Sequence, residues 1–229
     1  MPTRNHTFDP VWEQTYASGH SVRYPWDAIV THVFRNAPKD KPRKEIHILE
    51  LGCGTAPNLL FAAKEGFTVY GLDGSASAIA FAKQTFEQNG LQGQLLVGDF
   101  TGTLPFESDS MDMVLDRGAV TCVGFSSAHR AIKEAHRVLR PGGTLFLNPY
   151  SDISSSAASG CLGRDGLITG ITEGGLENNG QLCFWGRNDI LRAFAEDWTL
   201  LDLTHVRVDN VLKPQISVRG DWRIVARKC

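Results

Sequence analysis

The chain has 229 residues, with 23 Lys plus Arg against 25 Asp plus Glu, a formal net charge of −2. The length suits one α/β domain with a small appendage, and an apolar content of 42% is enough for a large core. The even charge gives no general attraction to nucleic-acid phosphates or anionic lipid, no apolar run approaches a membrane span, and five scattered cysteines without a C-x-x-C pair read as reduced thiols of a cytoplasmic protein.

The opening "MPTRNHTFDP" has no apolar core of the signal-peptide kind, so none is expected. Asp9-Pro10 has the form of a helix N-cap followed by proline at the first helical position. Trp12 and Tyr16 then fall four apart on one face. "GHSVRYPWD" breaks this helix, and Ile29, Val30, Val33 and Phe34 predict a second. The charged, proline-bearing "APKDKPRKE" closes an N-terminal helical segment over 1–45, and 46–229 is read as the main domain.

From Ile46 strands and helices alternate. "IHILEL" predicts a buried strand, Pro57 to Glu65 a helix and "TVYGLD" a second strand. Ser75 caps a helix with Ile79, Ala82 and Phe86 on one face, ending near Asn89-Gly90. "QLLVGD" and "MDMVLD" are the third and fourth strands. The stripe Ala128, Ala131, Ile132, Ala135, Val138 and Leu139 predicts a helix packed on a sheet, stopped by Pro141-Gly142-Gly143 before the fifth strand "TLFLN". Repeated strand–helix units of this length imply an α/β, doubly wound and mainly parallel sheet. Ser151 to Gly180 is rich in serine and glycine with weak periodicity, and reads either as a surface excursion or as a flap over a site. "RNDILRAFAED" predicts a short helix. "TLLDLTHVRVD" and "DWRIVARK" predict two final strands, antiparallel if they pair.

The chemistry gathers at the ends of the first strands. "ILELGCGTAPN" opens like a dinucleotide loop, but Pro57 takes the place of the third glycine. Gly52 and Gly54 let a ligand approach the backbone, whereas Pro57 removes a helix-start donor that a pyrophosphate would use. Glu50, just before the glycines, suits an ammonium group better than a phosphate. Asp73 ends the second strand roughly twenty residues after Gly52, the spacing of a ribose-binding carboxylate. The same Asp can also serve simply to cap the next helix. Asp99 and Asp116 end the third and fourth strands, so three aspartates share one edge of the sheet.

"ILELGCGTAPN", "VYGLDGS", "VGDF", "MDMVLDRGAV" and "EAHRVLRPGGTL", in this order from Ile46 to Asn148, resemble the motifs of the class I S-adenosylmethionine-dependent methyltransferases. The resemblance implies a seven-stranded sheet with an antiparallel last strand, an N-terminal helical lid, and S-adenosylmethionine as cofactor with S-adenosylhomocysteine as product. It places Glu50, Gly52, Cys53 and Gly54 around the methionine part, Asp73 on the ribose hydroxyls, and Asp99 with Phe100 at the adenine. Asp116 and Arg117 face the methionine end, and Asn58, Gly74 and Ser75 complete the surround. Arg23, beside Tyr24, is in place to pair with the methionine carboxylate.

Such transfer rests on alignment of nucleophile, methyl and sulfur, so no obligatory base is expected. His20, His129 and His205 are candidates, each also readable as a surface or core histidine. "LNPY" is similar to the N-P-P-Y motif of amino-methyltransferases but follows the fifth strand, not the fourth. That argues against a nucleic-acid amino-methyltransferase and leaves Tyr150 as an acceptor-site candidate. Asp116 beside Arg117 is a poor start for a metal site, so none is expected. The leading expectation is methyl transfer to oxygen or nitrogen of a small molecule. An RNA or protein methyltransferase, a non-catalytic binder of the cofactor and, more distantly, a nicotinamide oxidoreductase are the alternatives.

Overall fold

A computed structural model describes residues 7–212 and 218–229. The apolar run of the first predicted strand forms β1 (His47–Leu51), the centre of the sheet. It pairs in parallel with β2 (Thr68–Asp73) on one side and β4 (Met111–Asp116) on the other. β3 (Gln94–Val97) adds to β2, and β5 (Leu139–Leu147) to β4. β10 (Val218–Lys228) then lies antiparallel between β5 and β9 (Trp198–Asp209). The seven-stranded order is β3-β2-β1-β4-β5-β10-β9, and β10 is the strand that runs against the rest. This is the expected doubly wound sheet with its reversed last strand.

The two-residue period of the strands builds two cores. Ile48, Met113, Leu115, Phe146 and Val225 point to one face, where α2 (Asp27–Asn36), α3 (Pro57–Lys64) and α4 (Ala76–Gln88) contribute Ile29, Val33, Leu59 and Ile79. Leu49, Leu51, Val114, Leu145, Leu147 and Ile224 point to the other. There α5 (Phe125–Val138) supplies the expected stripe, and α7 (Arg187–Ala193) supplies Ile190, joined by Phe194 just beyond it. Each such fully buried aliphatic side chain contributes about 1.5–3 kcal/mol of transfer free energy.

Three local outcomes differ from the sequence reading. α5 stops at Val138, and β5 begins directly at Leu139, paired with Met111, before "TLFLN" resumes regular pairing at Thr144 opposite Met113. Pro141 disfavours helical backbone at the residue before it, which sends the chain into extended conformation early. Asp99 lies two residues beyond β3 rather than at its end. The Ser151–Gly180 segment is not structureless. It holds α6 (Ser155–Ala158), β6 (Cys161–Leu162) and β7 (Leu167–Thr169), and β6 and β7 form a small antiparallel sheet with β8 (Leu182–Cys183). Ile171, Leu176, Leu182 and Phe184 pack beneath it against Tyr150 and Cys122. Strands of two and three residues are shorter than any window in which periodicity can show.

At the N-terminus, α1 (Pro10–Ala17) starts as expected: Asp9 Oδ1 accepts from Val11 N–H at 3.0 Å, with Pro10 at the first turn. Among the described residues no helix is long and apolar enough to cross a membrane.

The end of β4 away from the site is fixed by Asp112, whose side chain is only 5% exposed. It accepts from Lys41, Arg140 and His47 N–H, the last at 2.8 Å. Burial raises its pKa, but these three donors outweigh burial and leave it below the usual carboxylate range. Asp112→Ala strands two cations and a backbone donor. It should lower unfolding free energy by about 2–4 kcal/mol in denaturant titration and leave ligand affinity at the far end of the strand unchanged.

Candidate active site

The site stands at the carboxyl edge of β1, β2 and β4, where the glycine loop leaves β1. Gly52 (φ +61°) and Gly54 (φ +53°) occupy the left-handed region. Space excludes a side chain as firmly as conformation does. A Cβ on Gly52 would lie 2.2 Å from Ala119 Cβ, and one on Gly54 would lie 2.5 Å from the Tyr16 hydroxyl. Pro57 is the first residue of α3, preceded by Ala56 in left-handed backbone with no side-chain cap. The helix start therefore carries neither the third glycine nor the full donor set of a pyrophosphate loop.

Three buried carboxylates lie behind this loop, each engaged differently. Asp73 accepts from Gly54 N–H and Ser75 N–H, both at 2.8 Å, one through each oxygen. Burial raises its pKa, and these two donors hold the rise back. Asp116 is fully buried and accepts from Gly118 N–H and Val120 N–H, both at 2.9 Å. Burial pushes its pKa up to about 7. Glu50 Oε1 accepts from Asn58 Nδ2 at 2.6 Å, while its buried Oε2 has no partner. Burial pushes Glu50 up to about 8, only partly offset by Asn58. Asn58 Oδ1 in turn accepts from Trp26 N–H at 3.0 Å, so the approach to α2 is tied to Glu50.

The N-terminal segment lies directly over this edge. The Thr7 hydroxyl donates to Asp99, the Phe8 ring covers Gly74, and Glu13 accepts from the hydroxyls of Ser75 and Ser77 at the start of α4. Asp9 Oδ2 accepts from Gln181 N–H at 2.9 Å, which joins this segment to β8. The resulting cavity has a floor of Gly52, Asp73, Gly74, Phe100 and the 117–119 turn. Trp12, Tyr16, Tyr150, Asn179 and Leu182 wall it, with Cys122 and Val123 behind. Burial and the nearby Asp73 carboxylate push the Tyr16 phenol well above its usual pKa, so it stays protonated.

Of the residues singled out from sequence, Gly52, Asp73, Gly74, Phe100 and Arg117 line the cavity together. Gly54 lies under Tyr16. Glu50, Asn58, Ser75 and Asp116 stand behind this lining and hold it through the bonds above. The Cys53 thiol points into the core beside Gly71 and Leu59. Asp99 accepts from Thr101 N–H at 2.8 Å and from Thr7. Arg117 stacks on Trp26, its guanidinium carbon 3.6 Å from the ring centroid. Arg23 and Tyr24 stay outside, exposed, with Tyr24 at 80%. None of the three histidines lines the cavity: His20 is exposed beside Tyr16, His129 sits edge-on to Trp185, and His205 stacks on Trp222 at 3.9 Å. Among the described residues no group of three or more His, Cys, Asp or Glu is arranged to hold a metal ion.

Sequence reasoning missed Phe8, Cys122, Asn179 and Leu182. Asn179 comes from the Ser151–Gly180 segment, where no signal marks it, and Leu182 lies just beyond that segment in the two-residue β8. Phe8 adjoins the N-cap Asp9 and is placed by that cap.

Residues 48–143 match the family described as a methyltransferase domain. The ribosomal RNA small subunit methyltransferase C of Alcanivorax borkumensis is 34% identical over 113 residues, 47% of this chain and 32% of that protein. The ubiquinone biosynthesis O-methyltransferase of Chelativorans sp. is 22% identical over 74% of this chain and 62% of its own length. A solved S-adenosylmethionine-dependent methyltransferase from Methanosarcina mazei superposes with a TM-score of 0.68 at 19% identity, covering 86% of this chain and 96% of that one. The chain thus spans about a third of the length of the ribosomal RNA enzyme. The match at residues 48–143 is to a methyltransferase domain, and the chain as a whole has the fold of a solved S-adenosylmethionine-dependent methyltransferase.

The site fits S-adenosylmethionine on its own terms. Behind the glycine loop the buried Glu50 oxygen has no partner, which suits a cationic or hydrogen-bond-donating group of the ligand. The raised pKa of Glu50 means that ionising it costs folded-state stability. That cost grows as pH rises from the ordinary value of 4.5 to about 8 and is constant above. Glu50→Gln keeps an acceptor for Asn58 and removes the cost. The ligand-free variant should therefore gain about 1–2 kcal/mol over wild type above pH 8, with the gain vanishing near pH 4, in thermal unfolding across pH. The same variant should bind S-adenosylmethionine more weakly.

Proposed function

We propose that the protein transfers the methyl group of S-adenosylmethionine to an oxygen or nitrogen of a small-molecule acceptor. The observation that supports this most is the roof over the edge. α1 and the β8 end of the small sheet meet there through Asp9 and Gln181 N–H, so the space facing the floor is a partly covered, largely apolar cleft. A cleft of this kind suits a small acceptor better than a duplex or a protein surface. Four cations of the basic stretches 39–44 and 137–140 are paired within the protein, which leaves less free charge for RNA phosphates. Lys41 and Arg140 pair with Asp112, Arg43 with Glu65, and Arg137 with Glu134.

Bound S-adenosylmethionine supplies an electrophilic methyl group on a sulfonium. In this reading Asp73 accepts from the ribose hydroxyls with the lone pairs that Gly54 and Ser75 leave free. Glu50 offers Oε2 to the methionine ammonium, and Asp99 with Phe100 holds adenine. Asp116 works as a positioning residue, ordering the turn at Gly118–Val120, and Arg117 is held ready by Trp26. Residues 7–17, the segment through α1, act as a lid, because Thr7, Phe8 and Tyr16 rest on Asp99, Gly74 and Gly54 and must lift for the cofactor to enter. Cys122, Tyr150, Asn179 and Leu182 are the acceptor side. Alignment, not an obligatory base, carries the acceleration.

The similarity to a ribosomal RNA methyltransferase keeps RNA as the rival acceptor. Transfer of radiolabelled methyl should be measured over a panel of phenols, amines and carboxylic acids beside a panel of RNAs. The proposal predicts transfer to small acceptors with little dependence on salt. Transfer confined to RNA and falling steeply with salt would contradict it. Firm cofactor binding with no transfer to either panel would show a non-catalytic binder instead.

A further inference from the structure

The chain's own N-terminal segment rests on the groups that the reading above gives to the nucleoside end of the cofactor. Both oxygens of Asp99 are engaged. Oδ1 accepts from Thr101 N–H at 2.8 Å and from the Thr101 hydroxyl at 2.7 Å, and Oδ2 accepts from the Thr7 hydroxyl. Thr7, Phe8 and Phe100 border the cavity, and Asp99 does not, so Thr7 stands between this carboxylate and the open space. The Phe8 ring lies against Gly74, the residue after Asp73. A Cβ on Gly74 would come within 2.8 Å of three of its ring carbons. Only a residue without a side chain lets the ring sit there.

The space left open is small. The cavity measures about 130 Å³, whereas sites that take drug-sized ligands run to ~300–1,000 Å³. S-adenosylmethionine, with its adenine, ribose and methionine parts, is a ligand of that size, so it does not fit while residues 7 and 8 stay where they are. Asp9 and Glu13 hold them there. Asp9 caps α1 directly after Phe8, and Glu13 accepts from the Ser75 hydroxyl at 2.6 Å and from Ser77 N–H at 3.3 Å at the start of α4. The bond from Thr7 to Asp99 is exposed, and a bond of that kind exchanges readily for one to a ligand.

The chemistry of the two residues matches what they cover. An exocyclic amine on an aromatic ring is what adenine offers to a carboxylate. Thr7 offers Asp99 a hydroxyl donor, and Phe8 sets an aromatic ring beside it. We propose that Thr7 and Phe8 are a built-in competitor: they occupy the nucleoside end of the cofactor site and must leave before adenine takes its place. The proposal rests on the reading of this edge as the S-adenosylmethionine site. It adds that the segment opposes the cofactor rather than helping to bind it. The apparent affinity is then the intrinsic affinity reduced by the fraction of molecules in which the segment has lifted.

The test is the sign of one change. Thr7→Val with Phe8→Ala removes the donor and the ring. Neither side chain belongs to a core, so thermal unfolding should match wild type. Calorimetry on the full chain should show S-adenosylmethionine binding about threefold or more tighter to the variant. Adenosine, the nucleoside end alone, should gain by a similar factor. Glu13→Ala, which loosens the segment without touching the contested place, should give a smaller gain for both ligands. Weaker binding to the double variant would make Thr7 and Phe8 part of the bound site and overturn the proposal. Unchanged affinity would overturn it equally. A gain for S-adenosylmethionine without one for adenosine would place the conflict away from the nucleoside end and contradict the assignment. Failure of folded wild type and variants alike to bind either ligand would instead contradict the reading of the edge, and the proposal would fall with it.

Discussion

One carboxylate fixes the distance between the two halves of the site. Asp73 takes Gly54 N–H on one oxygen and Ser75 N–H on the other, so the loop after β1 and the start of α4 are held to a single group. Both bonds lie in a region almost without water, where an unmet charge is expensive and a satisfied one is stiff. The left-handed glycines, Ser75 as cap and the burial of β2 all follow from keeping that carboxylate in place. Glu50 and Asp116 repeat the pattern on the neighbouring strands, with one difference. Asp73 and Asp116 have both oxygens engaged by backbone, whereas Glu50 keeps one oxygen unpaired. The edge is therefore rigid, with one carboxyl oxygen left open.

The rest of the site is laid over that edge by polar contacts to chain elements distant in sequence. Asp9 both caps α1 and accepts from Gln181, and Glu13 reaches the serines that begin α4. α1 has no fully buried residue. Its position depends on these carboxylates and on the contact of Trp12 and Tyr16 with the cavity, not on a core of its own. An element held in this way can lift without unfolding the sheet, which suits the lid role proposed for it. Trp26 links the same movement to the floor, since its backbone is held by Asn58 and its ring carries Arg117.

The sheet was legible in the sequence because its strands are long enough to show alternation and its helices carry stripes such as Ala128 to Val138. The edge was legible because three acids and two glycines recur at fixed places relative to those strands. The roof was not. Asn179 and Leu182 sit in a region of two- and three-residue strands with no measurable period, and Tyr150 was no more than a candidate. His20 and Arg23 were plausible by their place near the N-terminus, yet the helix before them carries Trp12 and Tyr16 to the cavity and leaves both exposed.

The central claim is that the Asp73-held edge binds S-adenosylmethionine. It is tested most directly by calorimetric titration of the wild-type chain and Asp73→Ala with S-adenosylmethionine, with NADH as the comparison ligand. The account predicts saturable one-site binding of S-adenosylmethionine to wild type, a loss of about tenfold or more in the variant, and no tight binding of NADH. Tight NADH binding without response to S-adenosylmethionine, or equal S-adenosylmethionine affinity in the two proteins, would contradict it.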